Sequence, residues 1–391
     1  MSDTVILGAA RTPIGAFLGG LAPVPAPKLG AIAIKCALER AGVRADEVDE
    51  VFMGNVVQAG VGQAPARQAA LAAGIPNSVS CTTINKVCGS GLKSVMLAAT
   101  QIAAGEARLV AAGGMESMSN APYLARGLRA GLPLGEHNLE DANLTDGLVD
   151  AYGHGHMGLG GELVAEQCGL GREEQDRFAL GSYEKALRAQ REGAFDAEIV
   201  PVAVPRRKGG VTIVNTDETP RETSLDGLAK LQSAFKPGGT ITAGNASKLN
   251  DGGSAVIVAS MDRARELGAK PLARIVAQAQ FAQEPERFLA ALKGAIERCL
   301  AKAGWSIGDV DLFEVNEAFS GIECVRRELD IPEAKFNVNG GAVALGHPIG
   351  ASGARLLVTL LYALRARSKK RGIASLCLGG GEAVALAVEL L

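Results

Sequence analysis

The chain repeats itself at a fixed offset. Residues 31–59 read AIAIKCALERAGVRADEVDEVFMGNVVQA, and residues 293–320 read KGAIERCLAKAGWSIGDVDLFEVNEAFS. Ala41-Gly42-Val43 matches Ala303-Gly304-Trp305 at an offset of 262, and Val48-Asp49 matches Val310-Asp311 at the same offset. Gly91, before LKSVMLAATQIAAG, matches Gly353, before ARLLVTLLYALRAR, again at 262. Next come RLVAAGGMES (108–117) and GIASLCLGGGEA (372–383). Aligning their glycines makes the offset slightly larger, which predicts that one loop has grown. Separate segments in constant register mean a duplicated domain, so one half-fold has to work twice.

Each half has the same grammar. Helix-period segments at 28–41 and 288–303 precede short apolar strands at 48–55 and 310–316. A glycine-rich turn then leads to second helices at 91–104 and 353–367. Strands at 108–113 and 373–379 follow, apolar on both faces as in a sheet covered by helices. Alternating strands and helices predict a layered α/β fold. TVILGAARTP and ARIVAQAQ read as the first strands of the halves, and GGSAVIVAS (252–260) as the strand closing the first. The expected organisation is an N-terminal half over 1–117 and 249–268, an inserted segment over 118–248, and a C-terminal half over 269–391. The insertion is richer in Gly, Pro and charge, holds three of the four histidines, and carries a helix around EEQDRFALGSYEKALRAQREG and a basic run at 205–210. It reads as a cover over the site, an assembly element, or both.

Composition excludes several functions. The 391 residues carry a net charge of −2, one Trp and four Tyr, so there is neither a basic field nor a stacking platform for nucleic acid. No charge-free apolar run of ~18 residues predicts a membrane span. MSDTVILGAARTP has no basic leader and no cleavage-type end, which predicts no signal peptide. Seven cysteines, at 36, 81, 88, 168, 299, 324 and 377, show no paired spacing or CxxC, which argues against a disulfide framework or structural zinc. The expected setting is the cytoplasm. His154 and His156 in GHGHMG form an HxH pair with no third ligand in view, so no metal is expected.

Ligands of α/β sheets bind beyond the C-terminal strand ends, near helix N-termini. Cys88, Asn316, His347 and Cys377 occupy such places. At offset 262, Cys88 corresponds to Gly350 and His347 to Asn85, so a pseudo-twofold brings the Cys88 and His347 turns face to face. A free thiol titrates near ~8.5; a helix N-terminus, an imidazole and Lys86 are expected to lower that value. Glycines at 89 and 91 let backbone N–H groups approach a carbonyl. Cysteine plus histidine is the minimum for covalent acyl transfer, and a second thiol suits proton transfer at carbon. Each residue also has a plain structural reading: a buried turn cysteine, a capping histidine or asparagine, a core cysteine in an apolar strand.

The motifs around these residues resemble those of the thiolase family, most closely its biosynthetic branch. They are AARTPIGAFLGGLAPVPAPKLGAIAI, GQAPARQAAL, NKVCGSGLKSVMLA, GGMESMSNAPY, HMG, TAGNAS, VNEAFS, NVNGGAVALGHPIGASGAR and CLGGGEA, and they span the whole chain. The resemblance implies an αβαβα layered fold from two halves with an inserted loop domain. It implies acetyl-CoA C-acetyltransferase activity, condensing two acetyl-CoA to acetoacetyl-CoA and CoA, reversibly. Cys88 would carry the acetyl group, His347 would activate it, and Cys377 would move the α-carbon proton. Asn316 would hold a water beside His347, and the N–H groups of Cys88 and Gly379 would form an oxyanion hole. His156, Met157 and Ser247 would line the pantetheine path, with Arg221 and Phe235 toward the nucleotide. No cofactor beyond coenzyme A as substrate and product is implied, and a homodimer or homotetramer is expected, with segment 124–140 as an assembly loop.

Departures from the family pattern are Lys248 where glycine is common, Gly160-Gly161 where Thr-Ala is frequent, and the continuations of NEAFSGIECV and CLGGGEAVALAV. They bear on acyl-chain preference, so the alternative is a 3-ketoacyl-CoA thiolase for longer or substituted chains. A β-ketoacyl synthase is disfavoured by the second cysteine. A non-catalytic acyl-CoA-binding scaffold is disfavoured by the intact catalytic positions.

Overall fold

The computed structural model describes residues 4–206 and 209–391. The basic run at 205–210 therefore lies partly outside the described residues. Nine strands form the main sheet system: β1 (Thr4–Arg11), β2 (Glu50–Gly54), β3 (Ser80–Ile84), β4 (Leu109–Ser117), β5 (Asn250–Ser260), β6 (Ala273–Ala282), β7 (Leu312–Val315), β8 (Arg371–Leu378) and β9 (Glu382–Leu390). Their order is β7-β8-β9-β6-β1-β5-β4-β2-β3, with the two-residue strand Gly15–Ala16 added on β5. The halves meet where β1 and β6 pair antiparallel over two residues each.

The repeat is visible in the register. β2 runs parallel to β4 with Glu50 opposite Val110, and β7 runs parallel to β8 with Leu312 opposite Gly372. Both strands of each pair are thus related by the offset of 262. The larger offset expected from the glycine runs is corrected: Gly113-Gly114 and Gly379–Gly381 look alike but are not equivalent. The structural counterpart of Cys377 is Met115, and that of Leu378 is Glu116.

Helices α1 (Ala26–Ala41) and α2 (Pro65–Ala72) cover one outer face, and α6 (Ala291–Ala303) covers the other. α1 and α6 end alike, on Gly42 at φ 65° and Gly304 at φ 69°, a left-handed cap that glycine takes without steric cost. Between the sheets lie α3 (Ser90–Ala104) and α9 (Ile349–Ala366), completing five layers, α-β-α-β-α. These two helices are long and apolar enough to span a bilayer, yet α9 is almost wholly buried inside the protein, which is why its sequence is apolar all round. α9 begins at Ile349, four residues before the expected start.

α3 and α9 approach closely because both carry glycine at the crossing. A Cβ on Gly91 would come within 2.8 Å of Ala354 N, and one on Gly353 within 2.3 Å of Leu92 N. The duplicated glycine therefore places the two helix N-termini side by side. Segment 118–248 adds α4 (Met157–Gln167), α5 (Arg172–Arg191) and a hairpin of Val202–Pro205 with Val211–Val214. Arg11, fully buried, pins it to β1 through Glu198 at 2.6 Å and Asp217 at 2.7 Å. Spacing argues against a disulfide framework, yet Cys168 and Cys324 form one disulfide across 156 positions, where the end of α4 packs on α7 (Ile322–Glu328). The other five are free thiols.

Candidate active site

Cys88 sits on the tight turn from β3 into α3. Val87 before it has φ 45°, a left-handed conformation that a β-branched residue adopts only under constraint. Ser90 supplies the constraint: its Oγ donates to Val87 O at 2.6 Å and accepts from Lys86 N at 2.8 Å. The Cys88 sulfur faces its own backbone N–H and that of Gly379, the first residue after β8. Cys377, fully buried near the end of β8, lies close enough that charge on Cys88 raises its thiol further, beyond the larger effect of burial.

The expected lowering of the Cys88 pKa is corrected. Burial pushes it up to about 12, and the two N–H groups only partly oppose this. Lys86 gives little help, because its ammonium is taken by an ion pair with Glu382. The resting residue is a thiol, poised beside donors that favour negative charge when it forms.

His347 is buried two residues before α9. Asn250 Oδ1 accepts its N–H at 2.8 Å, and its Nδ1 lies 2.6 Å from Ser352 Oγ. The single Ser352 hydroxyl proton goes to Pro348 O at 2.8 Å. Nδ1–H must then donate to Ser352, which leaves Nε2 as the basic nitrogen. Burial and Arg355 hold the imidazole neutral, its pKa lowered to about 3. Nε2 has no partner among the described residues, and neither do the side-chain oxygen and nitrogen of buried Asn316. Asn316 is anchored by its backbone N–H on Ser375 O at 3.0 Å, so it borders the end of β8 near Cys377. Buried polar atoms without partners are costly unless something polar is meant to meet them.

A cavity of about 500 Å³ opens onto His347. His156, Phe235 and Ser247 line it, with Lys248, Phe319 and Ile349. Phe235 does not reach outward: it stacks on His156 at 4.6 Å between centroids and meets Phe319 edge-on. Met157 packs beside Gly379, where a Cβ would lie 3.8 Å from its Sδ. Arg221 is not among the cavity-lining residues; its guanidinium lies over the Tyr183 ring, 5.9 Å from the centroid. His154 and His156 diverge, the first toward Glu286 at 3.4 Å and the second into the cavity, and no metal-binding cluster occurs among the described residues. Sequence reasoning missed Asn250, Ser352 and Glu116. Glu116 is buried under the start of α9 and accepts from Gly350 N at 2.9 Å and Val56 N at 3.0 Å.

Two family models match almost the whole chain: the thiolase N-terminal domain over residues 4–262 and the thiolase C-terminal domain over 269–390. The chain belongs to the thiolase family. Among thiolase relatives, an acetyl-CoA acetyltransferase of Cupriavidus necator is 52% identical over the full length of both chains. A probable acetyl-CoA acyltransferase of Staphylococcus aureus is 48% identical over 100% of this chain and 99% of its own. The crystal structure of the Bacillus anthracis acetyl-CoA acetyltransferase superposes with a TM-score of 0.98 at 42% identity, covering 100% of this chain and 99% of that one. One departure from the usual thiolase pattern has a packing reason here. A Cβ on Gly160 would come within 2.7 Å of Glu286 O, and one on Gly161 within 2.8 Å of Ile241, so larger residues would need this wall rebuilt.

Proposed function

We propose that this thiolase is an acetyl-CoA C-acetyltransferase working through an acetyl-Cys88 intermediate. What supports the reading is the Cys88 sulfur facing Gly379 N–H and neighbouring Cys377, together with a neutral His347 that lines the cavity and has an unpartnered Nε2. His347 Nε2 accepts the Cys88 proton as the sulfur attacks the acetyl-CoA thioester. The oxygen that becomes negative lies against the N–H groups of Cys88 and Gly379. CoA leaves and takes the proton of Cys377, which becomes a thiolate, while His347 keeps the proton it received. A second acetyl-CoA then loses its α-proton to the Cys377 thiolate, and its enolate attacks the acetyl-Cys88 carbonyl. Acetoacetyl-CoA departs as the Cys88 thiolate is expelled and recovers its proton from His347. Until then the second thioester oxygen is met by the protonated His347 Nε2–H and a water held by Asn316. Their unpaired polar atoms support this role.

Coenzyme A is substrate and product, and the scheme uses no other cofactor. His156, Met157, Ser247 and Phe235 take the pantetheine arm; Arg221, exposed beside Tyr183, takes the nucleotide end. Residues 118–248 act as the loop domain between the halves 1–117 with 249–268 and 269–391. Exposed Leu128, Leu132 and Leu134 support segment 124–140 as an assembly loop for a dimer or tetramer. The proposed compartment is the cytoplasm; the five free thiols support it, and the Cys168–Cys324 disulfide does not.

The test is turnover of acetoacetyl-CoA by thiolysis, and of acetyl-CoA by condensation, beside 3-ketoacyl-CoAs of increasing length. Leu144, Leu148, Leu249 and Ile349 on the cavity wall are the observation that keeps the longer-chain alternative in the panel. Preference for acetoacetyl-CoA supports the reading, and preference for long chains replaces it. Cys377→Ala is expected to keep acetylation of Cys88 while losing condensation; normal condensation by that variant would remove Cys377 from the scheme.

A further inference from the structure

Lys248 stands where thiolases commonly have glycine, and its ammonium is put to use. It donates to Val343 O at 2.6 Å, Tyr183 Oη at 2.7 Å and Ala246 O at 3.3 Å. These acceptors lie on three segments: α8 (Ala342–Leu345), α5, and the loop that also holds Ser247. The charged groups around it are Arg221, across the same Tyr183 ring, and buried Glu317. Burial lowers the Lys248 pKa to about 7, and the three acceptors offset part of that cost when the amine is protonated.

The key contact is Val343. Its carbonyl is held by Lys248, while its N–H donates to Glu317 Oε2 at 3.2 Å. Glu317 is fixed in turn by Ser182 at 2.6 Å and Asn337 at 2.9 Å. α8 ends at Gly346, with φ 104°, and the next residue is His347. Two positions beyond Lys248, Asn250 accepts the His347 N–H. One short loop therefore grips the chain on both sides of Gly346.

We propose that Lys248 is a positioning residue for His347: it fixes the α8 turn and thereby aims Nε2 at the Cys88 sulfur. The proposal rests on the assignment of Cys88 and His347 as a working pair. It concerns this chain's own solution, since a glycine at this position has no side chain to reach Val343.

The experiment compares wild type with Lys248→Met, which keeps the stem and removes the donors, and Lys248→Arg, which keeps a donor. Iodoacetamide alkylation of Cys88 is followed by peptide mass spectrometry, with Cys36 and Cys81 as internal references. Steady-state thiolysis and melting temperature are measured in parallel. The expected result for Lys248→Met is Cys88 alkylation and kcat both reduced about tenfold, with KM within about threefold and the reference thiols unchanged. Lys248→Arg is expected to recover most of that loss. Wild-type alkylation in Lys248→Met overturns the proposal. So does a loss that Arg does not rescue and that tracks melting temperature, because that is a packing role. Failure of acetyl-CoA to acetylate wild-type Cys88 would defeat the proposed function instead, and the alkylation comparison would still stand.

Discussion

The two repeated turns at the heart of the molecule use the same backbone for opposite ends. Gly350 and Cys88 are equivalent positions at the starts of α9 and α3. At Gly350 the N–H is consumed by the Glu116 carboxylate, and a Cβ there would lie 2.7 Å from its Oε2. At Cys88 the residue equivalent to Glu116 is Leu378, which has no acceptor, so the N–H is left facing the nucleophilic sulfur. Likewise Met115 in one half is Cys377 in the other, and Asn85 in one is His347 in the other. Duplication supplied two helix N-termini. One was closed with a carboxylate to join the halves, and the other was kept open for chemistry.

The largest effect should come from making the open turn like the closed one. Cys88→Gly is expected to fold with a melting temperature within a few degrees of wild type and to lose thiolysis by about four orders of magnitude or more, by activity assay. Substantial residual thiolysis would mean that another group carries the acyl chain. Glu116→Leu attacks the closed turn instead. It strands buried N–H groups of Gly350, Val56 and Val57, and is expected to cost about 2–4 kcal/mol in denaturant unfolding. A neutral outcome would make the carboxylate incidental.

His347→Asn gives that turn the residue of its counterpart and removes a pH dependence. The folded-state pKa of His347 is depressed to about 3 from an ordinary value of 6.5. Its contribution to stability is therefore fully present above pH 6.5 and is lost as pH falls from there toward 3. Glu116 acts with the opposite sign: burial raises its pKa to about 7, so its contribution falls as pH rises from 4.5 toward 7. The wild-type minus His347→Asn difference in stability should shrink on acidification below pH 6.5, followed by urea melts. A constant difference would contradict the buried neutral imidazole. The smallest effect belongs to Lys86→Gln. Its pair with Glu382 is partly exposed, so about 0–1 kcal/mol of stability is expected and thiolysis should change only a few-fold.

The duplicated core was readable from spacing, because helix caps and crossing glycines such as Gly42, Gly304, Gly91 and Gly353 must recur wherever the half-fold recurs. Placement beyond strand ends and near helix starts nominates Cys88, Asn316, His347 and Cys377, and the family resemblance supplies their roles. The register of the last strands is not legible in the sequence, because glycine runs align with one another whatever their role. Nor is the direction of the Cys88 pKa, because sequence shows neighbours along the chain but not burial. Asn250 and Ser352 escaped notice because each acts by holding His347, and a single asparagine or serine carries no such signal until the loops meet. Lys248 was visible as an oddity, but its three acceptors lie far apart in sequence.

The central claim is that Cys88 takes the acyl group from acetyl-CoA. Incubation with acetyl-CoA, acid quenching and peptide mass spectrometry tests it directly. The account predicts one acetyl group, on the peptide containing Cys88, in wild type and in Cys377→Ala, and none in Cys88→Ser. Acetyl on Cys377 alone, or equal labelling of Cys88→Ser, would contradict it.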